Sequence, residues 1–388
     1  MTVALAQAPG DRLAPSHVLD RVAERAPWLA QRVAEVEGTR RVPDDVLDAL
    51  RADGCLRLAV PAAYGGADLS LPQIVAVVEA LARIGGTLGW IAGQVALAQA
   101  VLTYLPVDAV DELYAAGPDL YVAGAAAAKG RVARADGGWR VSGRWQLVSG
   151  CPRASWIYVQ CVVAADDPAG AQDGAIPQLR AVLLPAAEVR IIETWNGLGL
   201  RGSESHDVHV KGATCPARHT CDLTGSPIVD ATIARVAAPA QAGLVAAAVQ
   251  TGIAASAVDA VLDLATRKRP AFSTRRLSEQ PLFQDALGEA FCTLAAARSL
   301  LFAEVAAADA GPHDETVLRA VAPQVATLAA QVVDGAYTLA GSSSVPDGSV
   351  LARCLRDARS VSQHATLGRG FYGRVGALRA GAPPDGAL

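Results

Sequence analysis

Two groups of chemically capable side chains stand out in this 388-residue chain. The first is His206, His209, Cys215, His219 and Cys221. Imidazole and thiolate are zinc ligands, but a strand sends His206 and His209 to opposite faces and no paired-ligand spacing is present, so no metal is expected here. Next to them, Ser205-His206-Asp207 holds the residue types of a hydrolase triad. Adjacent residues cannot form that relay, and no G-x-S-x-G elbow accompanies them. Just upstream, Gly197-Leu198-Gly199-Leu200-Arg201-Gly202 fits G-x-G-x-x-G. A dinucleotide site needs a helix after the loop to hold the pyrophosphate, whereas SESHDVHVK reads as a strand, so no Rossmann site is expected. The second group is His364 with Ser362 and Gln363, beyond the basic run Arg353, Arg356 and Arg359. An imidazole is the side chain that can take or give a proton near neutrality; packing on a C-terminal helix is its other reading.

The elements that must position these residues fall into three zones. Helical spacing runs to about residue 116, with helices expected over 42–52, 71–84, 88–104 and 107–116, broken at Gly54, Gly65-Gly66 and Gly85-Gly86. From Tyr121 the period becomes two: Trp139, Val141, Trp145 and Leu147 alternate with Arg140, Ser142, Arg144 and Gln146. Further strands are expected at 155–164, 179–184, 187–193 and 206–211. Helical stripes then return, Leu287, Phe291, Leu294, Leu301 and Val305 in one and Val321, Val325, Leu328, Val332, Ala336 and Leu339 in another. The order implies an α+β chain with three units, a helical one over 1–119, a β one over 120–225 and a helical bundle over 226–388.

Composition narrows the function. The chain carries 34 basic and 38 acidic residues, a net charge of −4, which excludes the basic footprint of a nucleic-acid binder. Its seven cysteines form no CxxC pair, so no disulfide framework is expected. The uncharged stretches 85–107 and 236–258 contain glutamines and prolines and read as buried helices, not membrane spans. The opening MTVALAQAPGDR lacks the basic start of a signal peptide, and a cytoplasmic protein is expected.

Several segments together resemble the acyl-CoA dehydrogenase fold. VPDDVLDALRADG and AVPAAYGGADLSLPQIVAVVEALARIGG are similar to its opening helices and YGG turn. GGWRVSGRWQLVSGCPRASW resembles its flavin-facing strand, ETWNGLGLRGSESHDVHV a later strand that closes the flavin pocket, and AYTLAGSSSVPDGSVLARCLRDARSVSQHA its final helices with their Arg-Asp pair. The resemblance implies an N-terminal helical domain, a central antiparallel β-barrel or sandwich and a C-terminal four-helix bundle. Dehydrogenases place a glutamate base about eight residues after the Arg-Asp pair, where this chain has Ser362-Gln363-His364-Ala365-Thr366. A histidine there is similar to the two-component monooxygenases of the same fold, which use reduced flavin and O2.

That branch implies His364 as the proton-handling residue and a cofactor supplied as FADH2 or FMNH2 by a separate reductase. It implies Ser149 and Gly150 at the polar flavin edge, Trp145 and Trp195 as flat side chains against the ring, and Ser342 and Ser343 bonding ring or ribityl oxygens. The substrate it implies is a small aromatic or polycyclic molecule, and the assembly a homotetramer. The dehydrogenase Arg-x-x-Phe-Gly segment is replaced by Ser273-Thr274-Arg275-Arg276-Leu277, and a second histidine is missing from GWIAGQVALAQ. A dehydrogenase or oxidase with Glu289 or Glu304 as a displaced base, and a non-catalytic scaffold, are the competing readings.

Overall fold

A computed structural model describes residues 15–164 and 178–383. The chain opens with helices α1 (Pro15–Thr39), α2 (Asp44–Ala52), α3 (Leu71–Ile84), α4 (Gly86–Leu102) and α5 (Val107–Tyr114). Ser70 and Gln73 close a capping box on α3, with a proline in its first turn. The sequence reading omits α1, whose Val18, Val22, Leu29, Val33 and Val36 make a buried stripe interrupted in sequence by Pro27.

The middle of the chain is one seven-stranded sheet. Its strands are β1 (Val122–Ala135), β2 (Gly138–Val148), β3 (Trp156–Val163), β4 (Leu179–Pro185), β5 (Arg190–Ile192), β6 (His206–Pro216) and β7 (Thr220–Cys221), in the order β5-β6-β2-β1-β3-β4-β7. The expected antiparallel pairing holds for every pair of neighbouring strands but one, a correction at β1 and β3, which are parallel. The hairpin returns β2 to the start of β1, and the short turn Cys151–Arg153 then launches β3 from that same end. The sheet curls over its own apolar face, bringing Cys215 Sγ on β6 3.5 Å from the Leu183 carbonyl on β4. Alternation sorts β3 as period two requires: Ile157, Val159 and Cys161 face that inner cluster, while Tyr158 packs with Leu105, Val110 and Leu113 beside α5.

Long helices follow: α6 (Ala238–Arg267), α7 (Pro281–Ala310), α8 (Glu315–Ala340), α9 (Val350–Val361) and α10 (Gly370–Arg379). The apolar α6 packs on α8, α9 and α3. The two helical zones therefore share one core, in which Ile74, Val78 and Leu81 join Leu244, Val249 and Val325. The sheet and this shared core meet where α4 begins, α9 ends and β2 gives way to β3.

Candidate active site

His364 lies just beyond α9, at the N-cap of the short turn Ala365–Leu367, rather than on the helix itself. Its Nδ1 is 2.7 Å from Thr366 Oγ1, and its ring meets Trp90 edge-on with centroids 5.5 Å apart. Burial lowers the pKa of this half-buried imidazole below its usual value of 6.5, favouring the neutral ring at pH 7.

Trp90 comes from α4 and is absent from the sequence reading. Every residue of α4 is buried except Gln94 and Leu97, four and seven positions past Trp90. All three therefore share one helix face. The legible signal was a lone tryptophan in a run of alanine and glycine, a large ring given space by small neighbours. Trp90 Nε1 donates to Ser149 Oγ at 2.9 Å, and Ser149 Oγ is 2.7 Å from Ser205 Oγ, itself 2.7 Å from Ser203 Oγ. Ser149, the first residue past β2, thus bonds the same indole that the His364 ring meets. Gly150 is held at φ +70°, and a side chain there would strike the Tyr121 hydroxyl at 2.2 Å. Its N–H already donates to the Ser203 carbonyl at 2.8 Å, so this residue shapes the turn and does not present its amide to the cleft.

Other expected positions fall elsewhere. Trp145 is 0% exposed, packs against Gly130 and Gly143 inside the sheet and donates Nε1 to the Gln160 carbonyl at 2.8 Å. The pocket role is corrected: neither ring face is open to a ligand. Trp195 folds over its own loop, donating Nε1 to the Arg201 carbonyl at 3.1 Å. Ser343 Oγ accepts from Lys268 Nζ at 2.9 Å, and Ser342 is exposed beside it. Lys268 ends α6, whereas Gly243 near its start contacts Thr366. At 1.5 Å per residue, those two points are roughly 36 Å apart. Ser342 and Ser343 therefore do not join the His364 group within one chain. Glu289 is exposed on α7.

The Gly197–Gly202 loop docks on α9. Gly199 N–H donates to Ser360 Oγ at 2.9 Å and Leu200 N–H to Asp357 Oδ1 at 2.6 Å. Burial, with Glu37 nearby, pushes the Asp357 carboxyl up to about 7, against the opposing pull of the Leu200 N–H and of Arg353 and Arg356. A short turn, Arg201–Ser203, and then β6 follow the loop, so no helix N-terminus is offered to a pyrophosphate. His206 Nδ1 accepts from the Thr194 and Trp195 amides, and Asp207 pairs with Arg144, so neither serves Ser205.

A flat heteroaromatic with a polar edge suits this set of an indole, an imidazole and a serine hydroxyl. The comparisons agree. The acyl-CoA dehydrogenase N-terminal domain family matches residues 19–106 and the C-terminal domain family residues 244–369. The chain is similar to an indole-3-acetate monooxygenase of Pseudomonas putida, 30% identical over 95% of this chain and 93% of that one. It is 27% identical to the oxygenase component of an FADH2-dependent resorcinol hydroxylase from Rhizobium sp., over 98% and 99% of the two chains. The crystal structure of a 3-HSA hydroxylase from Rhodococcus sp. superposes with a TM-score of 0.88 at 25% identity, covering 95% and 97%. With its dehydrogenase glutamate replaced by a histidine held against Trp90, the chain belongs to the flavin-dependent monooxygenases built on the acyl-CoA dehydrogenase fold.

Proposed function

We propose that this protein is the oxygenase component of a two-component system, taking FADH2 or FMNH2 from a separate reductase and using O2 to hydroxylate a small aromatic or polycyclic substrate. The observation that carries the reading is the His364–Trp90–Ser149 group, which puts one proton-handling side chain, one flat wall and one hydroxyl at the same corner of the fold. Reduced flavin supplies the electrons that activate O2. The chain's own residues do the rest. Trp90 forms a rigid wall, its N–H anchored on Ser149. The apolar surroundings contributed by both helical zones exclude water. His364, oriented by the hydrogen bond between its Nδ1 and Thr366 Oγ1, takes a proton from a substrate hydroxyl or amine. Relatives named for indole-3-acetate and resorcinol support an aromatic substrate.

The active form is a homotetramer assembled through the C-terminal helices. Helix α7 is apolar enough to cross a membrane by composition, yet only 28% of its most apolar window is buried, and Leu282 and Phe291 are 85% and 63% exposed. Such a face calls for cover. The rewritten segment Ser273–Leu277 leads us to expect weak affinity for oxidised flavin and a nearly colourless purified protein. Seven free thiols suit a cytoplasmic setting. The test supplies purified protein with a flavin reductase, NADH and a panel of indoles and phenols under O2. Hydroxylated product supports the reading; bleaching of tightly bound oxidised flavin by an acyl-CoA, with no hydroxylation, overturns it. A monomeric mass at micromolar concentration overturns the tetramer.

A further inference from the structure

Asp357 is 1% exposed, stands where three elements cross, and has no task in the mechanism above. Its Oδ1 accepts the Leu200 N–H at 2.6 Å, which holds the Gly197–Gly202 loop on α9. Its Oδ2 rests on the first turn of α4. A Cβ on Gly86 would lie 2.7 Å from that oxygen and 3.1 Å from the carboxyl carbon, so glycine lets the helix start this close. Two rigid arms run from the contact. Along α4, Trp90 stands one turn past Gly86 on the same face. Along α9, the helix continues to Val361, and the His364 N–H closes the next turn on the Val361 carbonyl at 2.9 Å. Gln250 of α6 stiffens this arm, donating to the Ala358 carbonyl at 2.9 Å and to Ser362 Oγ at 2.8 Å. The arms meet again where the Trp90 and His364 rings touch edge-on. Asp357, Gly86, Trp90 and His364 thus close a ring of contacts, with the carboxyl at the corner opposite the aromatic pair.

The surrounding charges decide which form of the carboxyl fits this corner. Glu37 faces it from α1, and Arg353 and Arg356 lie on its own helix. Arg356 is engaged by Glu37 at 3.2 Å and by Asp347 at 2.9 Å, Arg201 of the loop by Asp347 at 3.1 Å, and Arg359 by Asp334 of α8. The first turn of α4 carries no charge, and α6 meets α9 here through the neutral Gln250. Among the described residues no cation bonds Asp357 directly. Burial and Glu37 keep the carboxyl protonated up to about pH 7.

We propose that Asp357 is a positioning residue that sets the approach of the Trp90 ring to the His364 imidazole, acting through the start of α4 and the end of α9, and that loss of its proton shifts that approach. Ionisation puts an unsolvated charge beside Glu37, and movement of α4 or α9 relieves the repulsion; each carries one ring of the pair. The proposal rests on the site reading above for the importance of the pair to the reaction, but not for the linkage itself.

Two experiments test it. The first uses flavin-free protein labelled with fluorotryptophan, the fluorine signal of Trp90 being assigned by its loss in Trp90→Phe. That signal should move in one step with a midpoint near about pH 7, where Asp357 ionises. In Asp357→Asn, which keeps the acceptor for Leu200 but has no proton to lose, it should stay at the wild-type low-pH position. In Glu37→Gln the midpoint should fall, because a repelling charge is gone. The step should survive in His364→Ala, which separates it from titration of the imidazole. A signal that holds still through neutral pH, a step that persists in Asp357→Asn, or one that vanishes in His364→Ala overturns the proposal. The second experiment measures product formed per FMNH2 consumed. It should fall by about 10-fold or more in Asp357→Ala, since a displacement of about 1 Å costs up to about 10²-fold, and Asp357→Asn should restore it. A folded, fully coupled Asp357→Ala overturns the proposal; if that variant does not fold, the fluorine step decides alone. Should the step follow Asp357 while the wild type binds neither FMNH2 nor FADH2, the linkage stands and the flavin reading fails.

Discussion

Gly199→Ala tests whether the Gly197–Gly202 loop is a docking device. A Cβ on Gly199 would lie 2.2 Å from the Arg356 carbonyl oxygen, 2.3 Å from its carbon and 2.5 Å from Asp357 N. All three are main-chain atoms of α9, so no side-chain rotation relieves the clash and the loop must retreat. The retreat endangers the Gly199 N–H bond to Ser360 and the Leu200 N–H bond to Asp357. With Asp357 largely protonated below pH 7, each of the two hydrogen bonds is worth about 1 kcal/mol, so a loss of about 2 kcal/mol is expected. Gly288→Ala supplies the control. Gly288 is exposed in α7 with nothing within 4 Å of its added methyl. The same substitution there should stabilise by about 0.5–1 kcal/mol, the helix preference for alanine over glycine. Urea unfolding of both variants reads the difference. Wild-type stability in Gly199→Ala would refute the docking argument.

Four further outcomes are expected. His364→Ala should reduce hydroxylation by about 10²-fold or more while hydrogen peroxide release rises and FMNH2 affinity holds; full coupled turnover would remove His364 from the mechanism. Because burial lowers the His364 pKa, wild-type hydroxylation should decline only as pH falls below 6.5, when the ring gains its proton, and a rate profile flat through that region would contradict the assignment. Asp357 keeps its proton to about pH 7 when folded but ionises near 3.8 when unfolded, so the native state binds more protons between those values and stability falls as pH rises through them. Asp357→Asn should abolish that slope, gaining on the wild type by on the order of 4 kcal/mol from pH 4 to pH 8 in urea unfolding; parallel pH profiles would disprove it. Trp145→Ala should cost about 3–5 kcal/mol of stability through a cavity in the sheet, and a variant of wild-type stability but impaired flavin binding would return Trp145 to the pocket.

Local pattern carried much of this protein. Alternation marked β2, β3 and β4, and apolar spacing with glycine stops marked α3, α4 and α5 to within a few residues. The absence of a glutamate and the presence of His364 eight residues after Arg356 were likewise legible, because they depend only on residue type and spacing. The strand expected after the G-x-G-x-x-G segment was also legible, since it is a local property. What the pattern could not supply was contact between distant segments. Trp90 and Ser149 are 59 residues apart, yet they share a hydrogen bond. Trp145 and Trp195 read alike as flat aromatic side chains, but only packing puts the first wholly inside the sheet and the second over its own loop. Ser342 and Ser343 looked equivalent to Ser149 as hydroxyl donors, and the length of α6 alone separates them from His364. Period and propensity act within a few residues of the chain, whereas a binding site is a coincidence of surfaces set by how helices and sheet close on a common core. The sequence by itself determined which chemistry this chain can carry; its tertiary structure decided which of those side chains meet.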